Sequence, residues 1–195
     1  MLVVLLLVLS AIFGAADQYL GSLPGAHLWA AQMPWMTDVS LLSAPWVLLP
    51  FLVGATQREP RRATLLGLAC TMFALAGYAA MTLSPVEHAE LTTRSAAGFI
   101  RSSEGVIVGG LVTGPIFGWL GHRWRTERAW LGPLLVAGAF CLEPLARVTA
   151  GHGQEIRFRT VWMLEVAAGL AFAAYVAIVT RRRAHSRLET DRPGY

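Results

Sequence analysis

The residues of this chain best suited to chemistry are four carboxylates at the ends of apolar runs: Asp17, Glu104, Glu143 and Glu165. Asp17 follows sixteen residues without an ionisable side chain, and Gln18 and Tyr19 come directly after it. Three hydrogen-bonding groups therefore gather on one short stretch. Glu143 and Arg147 have the i, i+4 spacing that lets an acid and a base pair on one helix face. Pro144 lies between them and lacks a backbone donor, which predicts a kink or a cap there. Ionisable groups inside membrane-length apolar segments are costly and mark function by default. Trp35, Trp46 and Trp162 fall near these acids and could face a ligand. The expected ligand-binding residues are therefore Asp17, Gln18, Tyr19, Trp35, Trp46, Glu104, Glu143, Arg147, Trp162 and Glu165. The bland alternative for any one charge is a solvated rim position or an ion pair that locks helix ends.

The elements that must position these residues follow from composition. The chain has 195 residues, 55% hydrophobic and only 14% charged. A soluble domain carries about 25% charged residues, so a disordered chain, a coiled coil and an ordinary soluble enzyme are excluded. Six apolar runs come near the roughly 20 residues that a membrane helix needs. They are Leu2–Leu20, Ser43–Thr56, Ala63–Leu83, Gly105–Gly121, Trp130–Ala146 and Val161–Thr180. The second is short unless it starts near Val39. None alternates as the strands of a membrane barrel would. The expectation is all-α: an integral membrane bundle of six transmembrane helices. It forms one domain over 1–183, with a disordered tail over 184–195. Leu2–Leu9 with Gly14-Ala15-Ala16 has a signal-peptide rival reading, opposed by the absence of any basic residue before it.

Charge orients the bundle. All 16 basic residues are Arg, and the net charge is +4. A pI near 9.7 is compatible with nucleic-acid binding, but the Arg residues sit in short clusters between apolar runs, and no nucleic-acid partner is expected. Eleven of them flank the loops 56–63 and 122–129 and the C-terminal tail, and five lie on the other side. The positive-inside rule places both termini in the cytoplasm, in a cell (cytoplasmic) membrane. The inner side then carries +7 and the outer side −3, with eight of the twelve acids outside. The outer links, roughly 21–42, 84–104 and 147–160, are also the longer ones. Loops on a rigid scaffold carry function, so a polar outer vestibule is expected beneath them.

Small residues supply helix contacts in lipid. Gly110, Gly114 and Gly118 repeat every four residues, and Ala11 and Ala15 make an A-x-x-x-A register. Each is read as internal packing or as a docking face for a partner membrane subunit. His27, His88 and His152 share no helical spacing, and no H-E-x-x-H, G-x-S-x-G, phosphate loop or dinucleotide fingerprint occurs. No metal and no cofactor is expected. Cys70 and Cys141 lie inside apolar runs, so a disulfide scaffold is not expected.

Two functional classes remain. The six-span layout, the A-x-x-x-A register at Ala11 and Ala15, and the stretch Leu49-Pro50-Phe51-Leu52-Val53-Gly54 before a basic turn and Gly67 resemble the substrate-binding (S) components of ECF-type transporters. That resemblance implies a solute-binding subunit that docks on a larger membrane partner. The other class is a membrane enzyme acting on a lipid or isoprenoid. There Asp17, Glu143 or Glu165 would supply acid catalysis and the tryptophans would stabilise carbocations, as in small membrane terpene cyclases. The segments Asp17-Gln18-Tyr19-Leu20-Gly21-Ser22 and Ser43-Ala44-Pro45-Trp46 also resemble an uncharacterised family of actinobacterial membrane proteins, a likeness that implies no activity.

Overall fold

The computed structural model describes residues 2–26, 35–85, 92–151 and 159–190, with the backbone course alone for 23–26 and 182–190. Eight helices occur among them: α1 (Leu2–Ala26), α2 (Trp35–Ser40), α3 (Ala44–Ala55), α4 (Pro60–Thr82), α5 (Thr93–Ser102), α6 (Glu104–Glu127), α7 (Leu131–Thr149) and α8 (Arg159–Thr190). The described residues contain no strand. Five helices are long and apolar enough to cross a membrane: α1, α4, α6, α7 and α8. The architecture is that of an all-α, multi-pass membrane protein.

The expected second span is where fold and expectation differ. The run 43–56 forms α3, of 12 residues, about 18 Å at 1.5 Å per residue. That falls short of a hydrocarbon core of about 30 Å. The six-residue α2 precedes it, and Leu41–Ser43 break the two apart. The break has a sequence cause. Pro45 occupies the first turn of α3, where its fixed φ and missing N–H favour a helix start rather than a continuation. Two other features go beyond the sequence reading. α5 lies within the expected outer loop and opens with a capping box in which the Thr92 and Ser95 side chains satisfy each other's backbone N–H. α8 continues to Thr190, through the first residues of the expected tail. Pro144 neither caps nor ends α7, which runs on to Thr149.

α4 is the central post. It packs against α1, α3 and α6, and α7 pairs with α8. Glycines bring these helices together. A Cβ on Gly14 would strike the Ala74 carbonyl and one on Gly77 the Ala11 carbonyl, so α1 and α4 touch backbone to backbone. Gly114 and Gly118 lie against Gly67 and Ala63 of α4, and Gly110 against Thr71. Gly54 of α3 meets Gly118 from the other side. The glycine stripe and Ala11 thus sit in intramolecular contacts. A buried cluster of Ala44, Phe51, Leu120, Val136 and Phe140 fills the space between α3, α6 and α7. Phe51 stacks on Trp124 at 5.5 Å and meets Phe172 edge-on at 6.0 Å.

Candidate functional site

The helix break between α2 and α3 organises the acids. Non-helical backbone inside a membrane protein must find partners within the protein, because lipid offers none. Here each donor can be traced. Leu41 N–H donates to Asp38 O and Leu42 N–H to Val39 O. Ser43 N–H donates to both Glu143 oxygens, at 2.8 and 3.0 Å, and Ala44 N–H to Glu143 Oε2 at 2.8 Å. Pro45 has no N–H to place. Trp46 N–H returns to Ser43 O. Arg147 completes the clamp: its Nε donates to Glu143 Oε1 at 2.9 Å, and its Nη2 donates to the Leu41 carbonyl and to Ser43 Oγ. The i, i+4 pair expected on α7 therefore forms, and its purpose is visible. It caps α3 from a neighbouring helix, placing a negative charge at the positive end of the α3 dipole. At the other end of α3, Arg125 Nη1 donates to Ala55 O at 3.0 Å, and His122 Nδ1 lies 3.1 Å from Gln57 O.

Behind the break lies a cavity of about 590 Å³. Its walls come from six helices, α1 to α6, and the break itself. Asp17 comes from α1, Ser40 from α2, Leu41 to Ser43 from the break and Trp46 from α3. Thr71 and Tyr78 come from α4, Phe99 and Ser102 from α5, and Val106, Gly109, Gly110 and Thr113 from α6. The Trp46 indole N–H donates towards the Asp17 carboxylate. Trp46 also meets Phe13 at 5.4 Å and Tyr78 at 6.2 Å, and Tyr78 meets Phe99 at 6.2 Å. One carboxylate thus faces a chain of aromatic rings, within walls that also carry several hydroxyls. Such a space can hold a solute with an apolar body and a cationic or hydrogen-bond-donating head.

The remaining expected residues do not share this cavity. Glu143 and Arg147 line a separate open groove of about 760 Å³ between α3 and α7. Glu165 and Trp35 line a third cleft, of about 340 Å³, between α2, α7 and α8. Glu165 faces Glu143. Glu104 is exposed in the first turn of α6. Gln18 and Tyr19 are half-buried on α1 and are not among the residues lining the Asp17 cavity. Trp162 is half-buried on α8. The single shared vestibule expected from the four acids is thus divided among separate spaces. His27, His88, His152, Glu87 and Glu155 lie outside the described residues.

Sequence reasoning missed Thr71 and Tyr78, which sit in an ordinary-looking helical run, and Phe99, which falls in an expected outer loop. Their signal is their spacing: Thr71 and Tyr78 are seven residues apart and so share a helix face. That face could not be matched to Asp17 without the packing of α1 on α4.

The bundle and its cavities define the class: a multi-pass helical membrane protein with partly polar clefts between its helices. Residues 1–190 match a family of unknown function (DUF6518), and the chain belongs to that family. No curated protein and no solved structure matches it.

Proposed function

We propose that this protein binds a small amphipathic solute in the Asp17 cavity, as a transporter or as the solute-binding subunit of one, in the cytoplasmic membrane with both termini inside. The observation that carries this reading is the Asp17 carboxylate set against Trp46 in a cavity of about 590 Å³ that one broken helix helps to wall. Discontinuous helices at membrane depth are the usual framework of transporter binding sites, because their unwound backbone lines the cavity. The α2–α3 break fits that role: Leu41, Leu42 and Ser43 all line the cavity. The arginine asymmetry supports the orientation. The test is a thermal-shift panel of vitamins, amines and polyprenyl compounds on the purified protein and on Asp17→Asn. A ligand whose stabilisation disappears in Asp17→Asn supports the reading. Co-purification with an ATPase and a larger membrane subunit supports the subunit form.

A second reading has one observation in its favour. An acid ringed by Trp46, Tyr78 and Phe99 is also what protonation of an isoprenoid followed by carbocation stabilisation would need. In that role Asp17 is the acid, and Glu143, spent on capping α3, is not. Turnover of a polyprenyl substrate by the protein alone would establish the enzyme and displace the transporter reading.

A further inference from the structure

The charge around the Asp17 cavity is one-sided. Asp17 is the only carboxylate among the described residues that line it, and no cationic side chain lines it at all. Broken-helix sites usually hold anionic solutes through the free N–H groups of a helix start. Here those groups are taken. The Ser43 and Ala44 N–H groups at the start of α3 go to Glu143. The Leu41 and Leu42 N–H groups turn back into α2. α6 also starts at the cavity, and it carries its own acid, Glu104, in the first turn. α5 presents the opposite end: Phe99 and Ser102 lie in its last turn, where the helix dipole is negative. Arg101 in that turn is exposed and does not line the cavity.

Side-chain donors are spent in the same way. The Trp46 indole N–H goes to Asp17. The hydroxyls of Ser40, Thr71 and Ser102 donate to carbonyls of their own helices, at 2.8, 3.1 and 3.1 Å. A negative head therefore meets a like charge, no cation and few uncommitted donors. A positive head bearing N–H groups meets a carboxylate with aromatic rings beside it, which suits both ion pairing and cation–π contact. One carboxylate balances one positive charge, and a second would be left uncompensated. We propose that the solute of this cavity is an aromatic ammonium ion, its single charge at Asp17 and its ring against Trp46, Tyr78 and Phe99. This rests on the reading of the Asp17 cavity as the binding site, to which it adds the sign and number of the solute's charges and the shape of its body.

The probes are 2-phenylethylammonium, its uncharged counterpart 2-phenylethanol and its anionic counterpart 3-phenylpropionate. Each is titrated into the full-length protein in phosphatidylcholine nanodiscs, with empty nanodiscs as the blank, and followed by tryptophan fluorescence. The ammonium is expected to bind at least tenfold more tightly than the alcohol, and the propionate more weakly than either. In Asp17→Asn the ammonium should fall to the affinity of the alcohol, whose own binding holds. Asp17→Glu keeps the charge and should keep the preference. Gly109→Leu fills the cavity, where a Cβ meets nothing within 4 Å, and should weaken ammonium and alcohol alike by at least tenfold. Both variants can be read even where Asp17→Asn does not fold. Absence of saturable ammonium binding, equal affinity for ammonium and alcohol, or tighter binding of the propionate overturns the proposal. If the alcohol or the propionate then still loses affinity in Gly109→Leu, the cavity stands as a site for another class of solute. Ammonium binding unchanged in both Asp17→Asn and Gly109→Leu overturns the proposal and the cavity reading together.

Discussion

Glu143 on α7 holds both carboxylate oxygens against the backbone N–H of Ser43, one hundred residues earlier in the chain, at 2.8 and 3.0 Å. A side chain that caps another helix in this way does more than neutralise Arg147. It closes the account of polar groups at a helix break within the bundle. Removing it exposes several defects at once: two unsatisfied backbone donors, an uncompensated guanidinium and an uncapped helix. Glu143→Ala is therefore expected to cost about 3–5 kcal/mol, as for other buried pairs broken on one side. Glu143→Gln keeps an acceptor for the N–H groups and should cost about 1–3 kcal/mol. Unfolding in detergent, followed by circular dichroism, measures both. A Glu143→Ala protein as stable as the wild type would show that the cap is incidental.

Arg147 acts in the same unit, so its effects should not add. Its hydrogen bonds reach Glu143, the Leu41 carbonyl and Ser43. Groups within one network show interaction energies of about 0.5–3 kcal/mol in double-mutant cycles. The double variant Glu143→Ala/Arg147→Ala is expected to be less destabilised than the sum of its single variants, because neither charge is then left alone. Strict additivity would place the two residues in independent roles.

The five long spans were legible because a bilayer sets a length that a run of apolar residues either meets or misses. The short second span was legible too, at 14 residues, but its consequence was not. A break at Leu41–Ser43 is stable only if a distant element satisfies it, and no local pattern at Ser43 names Glu143. The i, i+4 spacing of Glu143 and Arg147 gave the pair and could not give its target. The acids illustrate the same limit. Spacing placed Asp17, Glu143 and Glu165 at similar depth on three helices, but which of them share a space depends on how α2 and α3 divide the bundle. Asp17 ended on one side of the break and Glu165 on the other.

The glycine contacts make a sharp structural prediction. A Cβ on Gly118 would meet the Ala63 carbonyl, and one on Gly54 would meet Gly118 itself. Both obstacles are backbone, which cannot rotate away. Gly118→Ala and Gly54→Ala are expected to lose about 1–3 kcal/mol by overpacking, set against at most about 1 kcal/mol of helix propensity gained. Gly138→Ala meets nothing within 4 Å, and should be neutral or mildly stabilising. Melting temperatures of the three variants should therefore split in opposite directions.

Orientation can be tested independently of stability. Eleven of the 16 Arg residues lie in the 56–63 and 122–129 loops and the C-terminal tail, and that excess is expected to keep these segments cytoplasmic. A reporter active only outside the cell should be silent when fused after Tyr195 and active when inserted after Pro85. The reverse pattern would invert the bundle and turn the Asp17 end towards the cytoplasm.

Adjacent glycines on α6 allow the cavity to be tested without disturbing the packing. Gly110 faces α4, where an added Cβ would lie 2.8 Å from Thr71 Cγ2. Gly109 also lines the Asp17 cavity, but a Cβ there meets nothing within 4 Å. Gly109→Leu should place its side chain in the space a solute would occupy while leaving the α4–α6 contact intact. Replacing glycine in a helix interior gains up to about 1 kcal/mol, so the unfolding temperature should hold or rise. Affinity for any ligand that Asp17→Asn abolishes should fall at least tenfold in Gly109→Leu. Gly110→Ala should instead lower stability. A ligand that depends on Asp17 but binds Gly109→Leu at full strength would have to sit elsewhere, and the cavity would lose its claim as the binding site.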